Sequence, residues 1–301
     1  MSYPSAVRLF EVGVRDGLQN EKEIVPTHIK VELIERLVDA GVTAIETGSF
    51  VSPKWVPQMA DTADVMASVK RQDGIIYSVL TPNMRGYEGA VASRANEIEI
   101  FSGASEIFSQ KNINCSIDES LERFQPVVDA AKKDGIPVRA SVSCAFGSPF
   151  GEEILAGKVA EVSKKLYDMG AYEISIADTI GVGTPIKVTK VLEAVADVIP
   201  LDVIGVHFHD TYGQALANLH AALEIGITRL DSSVAGLGGC PYAPGATGNV
   251  ASEDIVYMLD GMGIECGIDL KKLVKTAWFI SDFLGRPPVS NVAKAIKSKL
   301  N

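Results

Sequence analysis

Eight short apolar runs alternate with amphipathic helical stretches along this chain, and that alternation is the strongest constraint on how it can fold. The runs cover 7–14, 44–51, 75–80, 97–102, 137–145, 172–177, 203–208 and 229–234. Between the first two, Ile29, Leu33, Ile34, Leu37 and Val38 fall on one helical face, and Gly41 stops that helix. Ser116 and Glu119 have the spacing of a capping box. Thr184-Pro185 reads as an N-cap followed by proline at the first helical position. Eight strands alternating with helices in 301 residues predict a closed parallel (β/α)8 TIM barrel. An open doubly wound sheet would want Gly-x-Gly-x-x-Gly after its first strand, and none is there. The barrel is expected over 7–262. A C-terminal helical extension, 263–301, with helices near 269–284 and 290–299, is expected to pack on it within a single domain.

A net charge of −10 argues against nucleic acid as a partner, because phosphate binding needs basic patches. No apolar run approaches a membrane span, and no signal peptide is visible. Cys115, Cys144, Cys240 and Cys266 are dispersed, which fits neither a zinc ribbon nor a disulfide scaffold. A reducing, cytoplasmic setting is the simpler expectation. Of the four, Cys240 stands apart. It lies in Ser233-Val-Ala-Gly-Leu-Gly-Gly-Cys-Pro-Tyr242, past the last strand, with glycines and a proline around it instead of apolar packing partners. That setting suits a nucleophile or proton donor as well as an inert loop thiol.

In such a barrel the chemistry belongs at the C-terminal ends of the strands. Polar residues gather there. Arg15 and Asp16 follow strand one, and Glu46 is in strand two. Asn112 is placed in the loop after strand four, Arg139 in strand five and Asp178 at the end of strand six. His207, His209 and Asp210 end strand seven, and Cys240 and Asn249 follow strand eight. Taken singly, each reads equally as a loop charge or a cap. His207 and His209 are two apart on a strand, so their rings share a face and suit either a divalent metal or a hydrogen-bonded pair. Asp16 is the best-placed carboxylate to join them, and Asn249 offers a carbonyl oxygen. That mixed, oxygen-rich set favours Mg2+ or Mn2+, although zinc uses the same ligand types. Arg15 reads as a stabiliser of negative charge on a substrate oxygen or as a rim salt bridge. Glu46 and Asp178 read as metal-orienting or plain structural carboxylates. Lys22, Lys54 and Lys111, and the small-residue loop at 245–250, are weaker signals for an anion.

Several segments together carry a family resemblance. They are Arg15-Asp16-Gly17-Leu18-Gln19-Asn20-Glu21, the run from Ser49 to Met59, Asn112-Ile113-Asn114-Cys115-Ser116, Asp178-Thr179-Ile180-Gly181-Val182-Gly183-Thr184, His207-Phe208-His209-Asp210-Thr211-Tyr212-Gly213 and the Cys240 loop. Over about 7–261 the chain resembles the hydroxymethylglutaryl-CoA lyases, in a superfamily of metal-dependent barrels that includes isopropylmalate and homocitrate synthases. The resemblance implies Asp16, His207, His209 and Asn249 as metal ligands and Cys240 as the catalytic thiol. Arg15 would hold the thioester oxygen, with Gln19, Asn112 and Arg139 also on the substrate. Glu46, Asp178 and Glu253 would be supporting carboxylates. It implies a homodimer, with 277–280 a candidate interface or simple core, and a retro-Claisen cleavage of an acyl-CoA to acetyl-CoA and acetoacetate, with His207 as base or proton relay. Ser141 stands where the family commonly has Tyr, Ser148 where it has Cys and Val14 where it has Pro. Ser141 leaves room for a different 3-hydroxyacyl group. A non-catalytic acyl-CoA-binding barrel is the remaining alternative.

Overall fold

The computed structural model describes residues 3–239 and 248–299. Its eight parallel strands close in sequence order into a barrel. They are β1 (Arg8–Glu11), β2 (Ala44–Ser49), β3 (Ile76–Leu80), β4 (Glu97–Gly103), β5 (Val138–Ser143), β6 (Glu173–Asp178), β7 (Ile204–Phe208) and β8 (Arg229–Ser232), and β8 pairs with β1 to shut the ring. Around it run α1 (Thr27–Asp39), α2 (Thr62–Ser68), α3 (Met84–Ala92), α4 (Glu106–Ile113), α5 (Ile117–Asp134), α6 (Ala156–Met169), α7 (Pro185–Ala196), α8 (Ala215–Ile225) and α9 (Ser252–Met262). The TIM-barrel expectation is met, and all eight predicted runs are strands. No helix among the described residues is long and apolar enough to cross a membrane.

Local signals behave largely as read. Ser116 and Glu119 complete a reciprocal capping box on α5. Gly41 follows α1 at φ +100°, where a Cβ would stand 2.3 Å from the Gly267 carbonyl oxygen, so no side chain fits there. Thr184 takes the N-cap position of α7 but its hydroxyl makes no capping bond, so Pro185 carries that boundary by fixing φ. Two further helices, α10 (Leu270–Phe283) and α11 (Asn291–Ile296), follow the barrel. Leu273, Val274, Ala277 and Ile280 of α10 join the main core, and the Arg36 guanidinium of α1 lies 4.4 Å from the centroid of the Phe279 ring. The 277–280 stretch is therefore packed within the chain.

The first strand is shorter than predicted. It ends at Glu11, and Gly13–Gly17 coil into one wide helical turn. Buried Glu11 causes this: one carboxylate oxygen accepts the Gly13 and Val234 amides, both at 2.8 Å, and the other accepts the Ser252 hydroxyl at 2.6 Å. A Cβ on Gly13 would meet that first oxygen at 2.5 Å. The turn carries Arg15 and Asp16, so Glu11 fastens the β1 end of the site to the segment after β8.

Burial pushes the Glu11 carboxyl up to about 7, with the Ser252, Val234 and Gly13 bonds opposing. The unfolded chain sheds this proton near its ordinary value of 4.5, before the folded protein does. Stability from this group is thus full below about 4.5 and is lost as pH rises through about 7. Glu11→Gln keeps two acceptor bonds and can donate to Ser252, whose hydroxyl already reaches Ser232 at 2.8 Å. The melting temperature of Glu11→Gln, relative to the parent, should therefore climb between pH 5 and pH 8. A difference that stays flat in calorimetry across that range would refute the assignment.

Candidate active site

Asp16, His207 and His209 converge at the C-terminal end of the barrel, with one ligand atom from each lying within 4.8 Å of the others. Asp16 comes from the turn after β1. His207 sits in β7, and His209 lies just beyond that strand, bridged to Asn249 through the backbone. The two imidazole centroids are 5.2 Å apart. Phe208 between them packs edge-on against Phe146.

The polar atoms left over test whether these residues suit a metal. Asn249 donates its amide to Asp16 Oδ2 at 2.8 Å and to the Leu237 carbonyl at 3.2 Å. That orients its carbonyl oxygen, Oδ1, which is buried without a hydrogen-bond partner; Nδ1 of His209 is likewise buried and unpartnered. A buried acceptor without a donor is costly. The Asn249 oxygen, beside the Asp16 carboxylate and two imidazoles, of which His209 brings Nε2 to 3.7 Å from Asp16 Oδ2, fits a divalent cation.

Arg15 is held from two sides. Its Nη1 donates to Asp16 Oδ1 at 2.9 Å, and its Nε is 2.6 Å from Glu46 Oε2. Burial opposes the charge of Asp16. The Arg15 guanidinium, helped by the two imidazoles, outweighs it and holds the carboxyl well below the usual range. Glu46 is pushed the other way, to about 8, by complete burial, with Arg15 opposing.

The remaining predicted residues sort by position. Asp178 gives both oxygens to backbone amides, Val182 at 3.0 Å and Gly183 at 2.7 Å, so it shapes the loop after β6. Glu253, in the first turn of α9, accepts the Ala235 amide at 2.9 Å and holds that residue at φ +62°. Burial raises the Glu253 carboxyl to about 8. It thus supports the segment that leads toward Cys240, which itself lies outside the described residues. Gln19 is half-buried just past the Arg15 turn, and its neighbour Asn20 donates to the Gly239 carbonyl at 2.9 Å. Asn112 belongs to the last turn of α4 and is exposed, not in a loop as predicted, because α4 runs on to Ile113.

Arg139 is inside the barrel. Its guanidinium is fully buried and paired with Glu99 at 2.7 Å, Glu173 at 2.8 Å and Asp231. Glu99, Arg139 and Glu173 are cross-strand partners on β4, β5 and β6. Those carboxylates, not an open pocket, engage the three nitrogens placed for substrate contact. Ser141 donates to Glu99, and Ser148 bonds Ser105 at 3.1 Å. Sequence reasoning missed Asp231 and Glu11. Each is an acid flanked by an apolar neighbour within a strand run, Phe10 before Glu11 and Leu230 before Asp231, and that was the available signal.

A closed parallel barrel with this cluster and a clamped arginine at its strand ends defines a barrel enzyme with a candidate metal centre. The HMGL-like family profile matches residues 6–280. The chain belongs to that family. It is 56% identical over 294 residues to the mitochondrial hydroxymethylglutaryl-CoA lyase of Gallus gallus, covering 98% of this chain and 99% of that one. The hydroxymethylglutaryl-CoA lyase of Pseudomonas aeruginosa has a crystal structure that superposes with a TM-score of 0.97. Identity is 51%, and the match covers 99% of this chain and 100% of the other. An HMG-CoA lyase from Acinetobacter baumannii, in complex with coenzyme A and 3-methylmalate, superposes at 0.93 with 36% identity, covering 98% and 96% of the two chains.

Proposed function

We propose that this protein is a carbon–carbon lyase that cleaves (S)-3-hydroxy-3-methylglutaryl-CoA to acetyl-CoA and acetoacetate. The observation that carries the reading is the Asp16–His207–His209 cluster with Arg15 clamped beside it, in a chain so similar to lyases named for this substrate. Asp16, His207, His209 and Asn249 would hold Mg2+ or Mn2+. Bound there, a divalent cation supplies Lewis acidity that eases loss of the C3 hydroxyl proton.

The chain's own residues carry the rest. His207 has Nδ1 on Asp231, so Nε2 is the nitrogen it presents to the cluster, and it would take the C3 proton where Asp16, His209 and Asn249 hold the cation without it. The C2–C3 electron pair moves onto the departing acetyl thioester as an enolate, and C3 becomes the ketone of acetoacetate. Arg15 stabilises the enolate oxygen. The Cys240 thiol would deliver a proton to C2. Gln19 and Asn112 orient the acyl chain. Arg139 contributes through the carboxylates it anchors. The finer reading includes a homodimer and a cytoplasmic setting.

The test is acetoacetate release from the thioester. We expect product with Mg2+, background after exhaustive chelation, and recovery on adding Mg2+ or Mn2+. Folded, cation-loaded protein that releases nothing from this substrate, yet turns over another 3-hydroxyacyl-CoA in a panel, would reassign the acyl group.

A further inference from the structure

Asp231 lies in β8 directly beside His207 of β7, its cross-strand partner. It is 2% exposed. Every contact of its carboxylate is fixed by chemistry. Oδ1 accepts from Arg139 Nη2. Oδ2 accepts from the Ser175 hydroxyl at 3.0 Å and faces His207 Nδ1 at 3.2 Å. A guanidinium has donors only, and an ionised carboxylate has acceptors only. The Arg139 guanidinium cannot rotate away, because Glu99 and Glu173 hold its other two nitrogens and its carbon sits 4.1 Å from the Phe10 ring centroid. Across an oxygen that can only accept, Nδ1 of His207 must carry the hydrogen.

We propose that Asp231, pinned by Arg139, is a positioning residue that locks His207 in its Nδ1–H tautomer, so that the Nε2 lone pair faces Asp16 and His209. Four neighbouring strands, β5 to β8, then serve one imidazole: Arg139, Ser175, His207 and Asp231 come from one strand each. His209 lacks such an anchor, since its Nδ1 is buried without a partner. The proposal rests on the reading of Asp16, His207 and His209 as a cation site. Its readouts do not involve thioester cleavage, so it can fail while the lyase reading stands, and the reverse.

The isosteric change Asp231→Asn makes a sign-reversing test. Arg139 still donates at the Oδ1 position, which forces the amide oxygen to that side. The NH2 group then occupies the Oδ2 position and donates to His207 Nδ1. That imidazole must shift its hydrogen to Nε2, and a protonated Nε2 cannot ligate. The experiment is a long-range 1H–15N spectrum of the cation-free full chain at alkaline pH, with only four histidines to assign. Wild type should show His207 with Nδ1–H and a bare Nε2; Asp231→Asn should show the reverse. Mn2+ affinity, followed by the paramagnetic resonance of free Mn2+, should fall by about 10- to 100-fold in the variant. An Nε2–H tautomer in wild type overturns the proposal, and that measurement stands even if the variant does not fold. A folded variant that keeps Nδ1–H, or binds Mn2+ as tightly as wild type, overturns it too.

Discussion

Replacing Arg15 by Gln should lower kcat for thioester cleavage by about a thousandfold, the loss typical of one well-aimed donor to a developing oxyanion. Nη1 already donates to Asp16, and Nε is ion-paired with Glu46 at 2.6 Å. That leaves Nη2 for the thioester oxygen, whose charge grows only as C2–C3 breaks. KM should therefore move much less than kcat. A glutamine can reach one of these partners but brings no charge. Glu46, already raised to about 8 by burial, loses the cation that opposes that rise. Asp16 loses the strongest of the influences that hold it low. Arg15→Lys separates charge from shape. A lysine restores the positive charge but not the fork, and its rate should sit nearer to Gln than to wild type. If Lys recovers most of the rate in steady-state assays, the guanidinium acts as a point charge and its clamped geometry is irrelevant.

Cys240→Ala should cut turnover by about 10²- to 10⁴-fold, the range for losing a positioned proton donor. Mn2+ binding should be unchanged, because none of the four candidate ligands is altered. The segments on either side of 240–247 meet beside the cluster: a Cβ on Gly248 would stand 2.4 Å from the carbonyl carbon of Gly238, and Asn249 donates to the Leu237 carbonyl. The described residues that flank 240–247 thus lie next to a candidate ligand. Near-normal acetoacetate release from the alanine variant would remove Cys240 from the reaction.

Much of this was legible in the sequence because it depended on local pattern. The strands were visible as apolar runs bounded by glycine and proline, and the His207-x-His209 pair declared its shared face through the two-residue strand period. Contacts between distant segments were not legible. No periodicity shows that Arg139 spends its donors on Glu99, Glu173 and Asp231 of three other strands; the sequence placed it in strand five and the resemblance put it on the substrate. Glu11 was hidden for the same reason. An acid in the first strand can be seen, but its amide partner Val234 is 223 positions away. The extent of β1 was overestimated because strand propensity continues through Val12 and Val14, while the buried Glu11 carboxylate turns the backbone at Gly13.

The contact between Asn249 and Asp16 spans 233 positions of chain. A ribosome makes Asp16 soon after β1, and Asn249 only after all eight strands exist. At ordinary elongation rates that interval is roughly ten to fifty seconds. During it no complete candidate set is available on the nascent chain, so strand pairing and core burial can begin before a cation is held at this site. Cation scarcity would then leave a pool of assembled but idle protein that regains its chemistry when the ion returns, without new synthesis.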